Sequence, residues 1–192
     1  MARERKVTRE KLYETTKTLL LQHGYNGFNF TLLAKQLNIS RAALYKHFKN
    51  KEELVTDFMI FEMNKFLAAI RKIENYTNFD AQFDYLFATM FQHKEIHEIL
   101  GMTYLIYSKS NKKVKANIEK LKNLHEDMYR YLQKFIKLGK KENRVAPHIS
   151  DEALLGFIFQ SFSIPNHFHI PPSEWYAQIK ELVSHGMLTN MS

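Results

Sequence analysis

Residues 30–54 read "FTLLAKQLNISRAALYKHFKNKEEL", and the fold of the chain turns on how this stretch is parsed. Thr31 stands where an N-cap is expected for "LLAKQL", a helix of barely two turns. Asn38 tolerates the left-handed conformation that helix C-termini commonly take, Ile39 points inward, and the Ser40 hydroxyl caps a third helix, "RAALYKHF". Two short helices joined by such a link make a helix-turn-helix. On the third helix Leu44 and Phe48, four apart, pack inward, while Arg41, Ala42, Tyr45 and Lys46 share the other side.

Upstream, Leu12, Leu19 and Leu20 mark a helix from Thr8 to His23, with Gly24 as its stop, and Phe28 and Phe30 of the connector "NGFNF" plug the core. The first quarter of the chain is thus a trio of short helices with one exposed basic face. A major groove about 12 Å wide admits one α-helix, read by the residues at that helix's N-terminus. Arg41 suits base reading, because its fork can bond guanine O6 and N7 together, and Ala42 and Ala43 offer methyl groups or clearance. Thr31, Tyr45, Lys46, His47 and Lys51 are placed for phosphates, which fix register without reading sequence. His47 has a second reading, as a core-edge histidine bonded to a backbone carbonyl.

Charge supports a polyanionic partner. Through Leu54 there are eleven Lys/Arg against five Asp/Glu, a net +6, whereas the remaining 138 residues carry seventeen against fifteen, a net +2. A solvated basic surface would look the same on charge alone.

The run "TLLAKQLNIS" followed by "RAALYKHFKNKEEL" resembles the DNA-binding head of the TetR family of bacterial transcription regulators, over roughly Thr8 to Leu54. "LYKHFKNKEEL" is its most specific part. The resemblance implies an all-α homodimer in which a three-helix head, residues 1–52, precedes a divergent helical effector-binding and dimerisation body, residues 53–192, about nine helices in all. It implies DNA contacts from Thr31, Arg41, Ala42, Ala43, Tyr45, Lys46, His47 and Lys51, on a pseudo-palindromic operator. It also implies repression relieved by a small molecule. Asn38 stands where the family often has Gly, and Ala42 and Ala43 replace its common small-Gly-Thr combinations, so the base sequence read is not transferable.

Composition agrees with a helical protein: 45% hydrophobic residues, 25% charged, and only ten Gly and Pro in 192 residues. The first six residues are mostly charged and resemble no signal peptide, and apolar runs such as "ILGMTYLIY" fall far short of the roughly 18 residues needed to cross a bilayer. A cytoplasmic protein with no membrane partner is expected. Zero cysteines exclude disulfides, thiolate metal sites and cysteine nucleophiles.

Beyond Leu54 the helices are divided at "NYTN", "SKSNKK", "GKKENRVAPHIS" and "IPNHFHIPP". A connector helix is expected from Glu52 to about Ile73, two aromatic-rich helices at about Phe79–His93 and Glu95–Tyr107, and the longest from about Val114 to Leu138, stopped by Gly139. Ser150 caps the next helix. That helix, "EALLGFIFQSF", is apolar nearly all round, so one face covers the body core and the other calls for a partner, a second copy of the chain being the obvious one. Together with Trp175, Ile179, Leu182 and Met187 on the last helix, it matches where the TetR resemblance implies a four-helix dimer interface, so that Leu154, Phe157, Ile158, Trp175, Ile179 and Leu182 are the expected dimer residues. A fully buried intrachain helix is the competing reading.

Twenty of the 26 aromatics and seven of the eight Met follow residue 50, which suits a mostly apolar effector pocket; Met90, Tyr104, Tyr107, Met128, Tyr131 and Phe162 are the candidates for its lining. His93 and His97 are four apart, but a helix break between them and the lack of a zinc-protease motif leave no metal site expected. His167 and His169 read as surface histidines of a proline-flanked loop. No phosphate loop, dinucleotide fingerprint or nucleophile elbow occurs, so an enzyme is unmotivated and no cofactor is expected. Three readings stand: a ligand-released DNA-binding repressor, a helical protein-interaction module with a TetR-like head, and a small all-α enzyme.

Overall fold

A computed structural model describes residues 7–106 and 111–187. Among these residues the chain is all-α: α1 (Arg9–Gly27), α2 (Phe30–Leu37), α3 (Arg41–Tyr45), α4 (Lys51–Ile70), α5 (Phe79–Gln92), α6 (Lys94–Gly101), α7 (Lys112–Lys141), α8 (Asp151–Ser161) and α9 (Pro172–Met187). Short 3₁₀ turns follow α4 (Arg71–Asn75) and α6 (Met102–Leu105). None of the described helices is long and apolar enough to cross a membrane. The chain forms two compact units: one takes the residues up to Asn64 together with Glu98–Lys122, the other Lys65–His97 and the residues from Asn123 onward.

In the first unit, Thr8 caps α1 by accepting from the Lys11 N–H. Gly24 breaks the helix with φ 62°, as expected of a stop, but one further turn follows and carries Tyr25 into the core. Tyr13, Leu20, Phe28, Leu33, Leu44, Leu54 and Phe58 form that core, each large side chain contributing about 1.5–3 kcal/mol by leaving water. The Tyr13 hydroxyl donates to Asp57 at 2.7 Å and accepts from Arg9 at 2.9 Å, fastening α1 to α4. Burial pushes that phenol's pKa up, and the hydrogen bond to Asp57 adds to the shift.

In the second unit the core is aromatic. Phe79 stacks on Phe135 at 4.8 Å and on Phe83 at 6.0 Å, and Phe87 meets Phe162 at 4.6 Å. Asn78 caps α5 through the Ala81 N–H, and Lys180 on α9 pairs with Asp84 on α5 at 2.7 Å. Ser150 caps α8 as expected, through the Ala153 N–H.

Boundaries depart from expectation at Gly139 and at the end of the connector, among others. Gly139 does not stop the long helix, which runs on to Lys141; the left-handed residue that ends it is Asn143, with φ 55°. Gly139 serves close packing instead: a Cβ there would lie 2.6 Å from the Phe79 ring and from Val145. The connector α4 ends at Ile70 and continues as a 3₁₀ turn rather than reaching Ile73 as an α-helix.

Candidate nucleic-acid interface

The helix-turn-helix is built by three polar caps. Asn29 begins it: its Oδ1 accepts from the N–H groups of Thr31 and Leu32, both at 3.0 Å, so Asn29 and not Thr31 is the N-cap of α2. The apolar spacing Phe30, Leu33, Ala34, Leu37 carries this signal, since it makes Phe30 the first helical residue. Thr31 then lies exposed in the first turn. Asn38 closes α2 in the left-handed region, at φ 52° and ψ 48°, as the sequence leads one to expect. Ser40 caps α3 by accepting from the Ala43 N–H at 3.1 Å.

α3 is shorter than expected. It ends at Tyr45, and Lys46 and His47 follow in a turn whose N–H groups return to Ala42 and Leu44. Leu44 and Phe48 are buried, Ala43 is half-buried, and Arg41, Ala42, Tyr45, Lys46 and His47 are exposed together. The structure therefore gathers the candidate DNA residues of α3 and its turn on one solvent-facing surface. Exposure of His47 sets aside its reading as a core-edge residue.

Lys51 is engaged within the head. Its ammonium donates to the carbonyl of Tyr25 at 3.0 Å and sits 4.3 Å from the centre of the Tyr25 ring, tying the broken end of α1 to the start of α4. Beside it, buried Glu53 accepts from the Lys49 N–H at 2.9 Å and from Asn111 Nδ2 at 2.8 Å, while Asn50 caps α4 through the Glu53 N–H. Glu53 and Asn111 were not candidates. Nothing in sequence spacing links residues 58 positions apart.

The body candidates separate. Met90 and Met128 are fully buried, Tyr131 is half-buried with its hydroxyl donating to the Arg71 carbonyl at 3.0 Å, and Phe162 is half-buried against Phe87. Tyr104 is 84% exposed on the 3₁₀ turn after α6, so it lines no interior pocket in this structure; that turn directs its ring to solvent. Tyr107 lies outside the described residues. Among the interface candidates, Leu154, Ile158 and Ile179 are buried within the chain itself, which corrects their assignment to a face covered by a partner. Phe157 (49%) and Leu182 (64%) remain exposed on α8 and α9, and Trp175 is half-exposed. The side chain of Met187 lies outside the described residues.

His93 ends α5 and His97 lies within α6, with the helix break between them. His97 meets the Phe66 ring edge-on at 5.0 Å, and its Nε2 is buried without a hydrogen-bond partner. Burial, with smaller contributions from His93 and His125, pushes its pKa down to about 4. Among the described residues no group of three or more His, Asp or Glu is placed to hold a metal ion. An open depression on α7 is lined by His125, Glu126, Tyr129, Arg130 and Gln133.

Known proteins share both the head and the fold. Residues 12–57 match the pattern described as "Bacterial regulatory proteins, tetR family". The biofilm operon icaADBC HTH-type negative transcriptional regulator IcaR of Staphylococcus epidermidis is 25% identical over 129 residues, 64% of this chain and 68% of that protein. The ketosteroid transcriptional regulator KstR2 of Mycobacterium tuberculosis superposes with a TM-score of 0.75 at 17% identity, over 96% of this chain and 98% of that one. The transcriptional regulator FadR of Bacillus subtilis, solved in complex with stearoyl-CoA, superposes with a TM-score of 0.67 at 16% identity, over 93% and 99%.

Proposed function

We propose that this chain, a DNA-binding transcriptional regulator of the tetR family, acts as a homodimeric repressor released from a pseudo-palindromic operator by a small apolar or amphipathic effector. The observation that carries the reading is the exposed surface of Arg41, Ala42, Tyr45, Lys46 and His47, held out by the Ser40 cap and by buried Leu44 and Phe48. Arg41, at the start of α3, reads a guanine, and Thr31, Tyr45, Lys46 and His47 meet phosphates. Ala42 and Ala43 let the helix approach the groove. Lys51 adds positive charge to the same surface while bracing the head. Residues 1–52 serve as the DNA-binding part and 53–192 as the effector-binding and dimerisation part.

Repression is favoured by the similarity to a negative regulator. An amphipathic effector is favoured by the aromatic and Met-rich body and by the shared fold with a regulator solved with stearoyl-CoA; Met90, Met128, Tyr131 and Phe162 are its candidate contacts. A second copy of the chain covers Phe157, Trp175 and Leu182, and two-fold symmetry then sets the recognition helices on successive major grooves, roughly 34 to 36 Å apart. The effector prefers a body conformation in which that spacing is lost, and DNA affinity falls by its differential binding energy. The protein acts in the bacterial cytoplasm.

The test is selection of bound duplexes from a random pool at physiological salt. A two-fold-related motif is the expected result. Folded protein that selects no motif would point instead to a protein-interaction module that keeps the head's fold without its reading surface.

A further inference from the structure

We infer that Tyr45 is a positioning residue that holds Arg41 ready to read its base, with Phe30 setting Tyr45 in turn; this rests on the reading of Arg41 given above. The Arg41 guanidinium carbon lies 5.9 Å from the centre of the Tyr45 ring, four residues on along α3. The Tyr45 ring meets Phe30 edge-on, with centroids 5.1 Å apart and planes at 61°. Phe30 is buried as the first residue of α2, directly after the Asn29 cap. The chain of contacts therefore runs from the core of the head, through one aromatic ring, to the exposed cation.

The chemistry of the two contacts is compatible. A guanidinium is attracted to an aromatic ring through its face, whereas its donors to guanine O6 and N7 lie in its plane. Arg41 can thus stay against Tyr45 while its edge reads the base. An arginine held in this way loses less side-chain freedom on binding than one free in solvent. That gain belongs to the base contact alone. A tyrosine that merely gave its hydroxyl to a phosphate would stabilise matched and mismatched sites equally.

The two roles separate experimentally in the full-length protein. Affinities are measured for a selected duplex and for its single-base variants, using wild type, R41A, Y45F, Y45L and R41A/Y45L, with thermal melts confirming that each is folded. R41A is expected to flatten discrimination at one base pair of each half-site. Y45F keeps the ring, and so keeps the discrimination ratio whatever its hydroxyl contributes to affinity. Y45L lowers discrimination at Arg41's base pair by about fivefold, the scale of one exposed cation–π contact, and leaves the salt dependence unchanged. R41A/Y45L discriminates no worse than R41A. Equal losses on matched and mismatched duplexes with Y45L, or loss of discrimination with Y45F, would overturn the positioning role while leaving Arg41 as the base reader. An R41A protein that still discriminates would remove the Arg41 reading and this inference with it, and the selected motif would survive both.

Discussion

Asn111 donates from Nδ2 to Oε1 of Glu53 at 2.8 Å, joining two positions 58 residues apart in sequence. The other Glu53 oxygen holds the N–H of Lys49, in the segment between α3 and α4. One buried carboxylate thus satisfies a backbone N–H and a side-chain amide from two distant segments, and it ends the exposed basic turn at a fixed place.

Glu53→Ala is expected to destabilise the protein by about 1–3 kcal/mol, because it leaves two part-buried donors without their acceptor. Glu53→Gln should recover only part of the loss, since its NH₂ must face one of the two donors. Urea midpoints of the three proteins check the order: wild type highest, Gln between, Ala lowest.

Gly139→Ala sets two effects against each other. Alanine gains about 1 kcal/mol in helix propensity, but its Cβ would fall 2.6 Å from the Phe79 ring and from Val145. Phe79 is fully buried and stacked on two other rings, so it has little room to yield. Overpacking typically costs about 1–3 kcal/mol, and a lower melting temperature is expected; a higher one would mean that the ring moves freely.

The buried nitrogen of His97 gives stability a pH dependence. Its pKa in the folded chain, about 4, lies below the ordinary 6.5, so the unfolded chain binds the proton more readily. The stabilisation is fully present above pH 6.5 and is lost as pH falls through 4, amounting to about 3 kcal/mol in all. In His97→Phe this component is absent. Urea midpoints at pH 7, 5.5 and 4.5 should therefore fall more steeply for wild type than for the variant, and parallel curves would count against a buried neutral histidine.

Lys51→Ala removes the donor to the Tyr25 carbonyl and the cation over the Tyr25 ring. A stability loss of about 1–2 kcal/mol is expected, in addition to weaker binding of all DNA sequences. A variant as stable as wild type would show that the contact with Tyr25 contributes nothing to the head.

Phe157→Asp with Leu182→Asp should give a folded monomer. Both side chains are exposed in the single chain, so folding loses little, whereas an apolar interface would have to bury two carboxylates. Sedimentation of wild type as a dimer and of the double variant as a monomer is the expected pair of results. A variant that remains dimeric moves the interface elsewhere.

The head was legible because its signals are local. A left-handed Asn38, a Ser40 cap and buried Leu44 and Phe48 are each fixed by neighbours within a few residues. Even there, two polar residues competed for one cap, and Asn29 took the place expected of Thr31 because Phe30 begins the buried stripe. In the body, periodicity marked apolar faces without saying what covers them. Leu154, Ile158 and Ile179 therefore looked like partner-facing residues while serving the chain's own core. Gly139 looked like a helix stop because close approach to Phe79 leaves no mark in local sequence. Tyr104 shared the composition of a pocket residue, yet a 3₁₀ turn directs it to solvent.

The bond between Glu53 and Asn111 also sets an order of events during synthesis. With 58 residues between them, a ribosome adding roughly 5–20 residues per second makes Asn111 about 3 to 12 s after Glu53. Asn117, which donates to the Thr56 hydroxyl at 2.9 Å, comes later still. The nascent head can form its helices early, with Asn50 capping α4 locally, but the Glu53 carboxylate gains its bond from Asn111 only once the residue before α7 has been made. A gene fragment that ends soon after residue 54 would encode the reading surface without the side chains that close the carboxylate behind it.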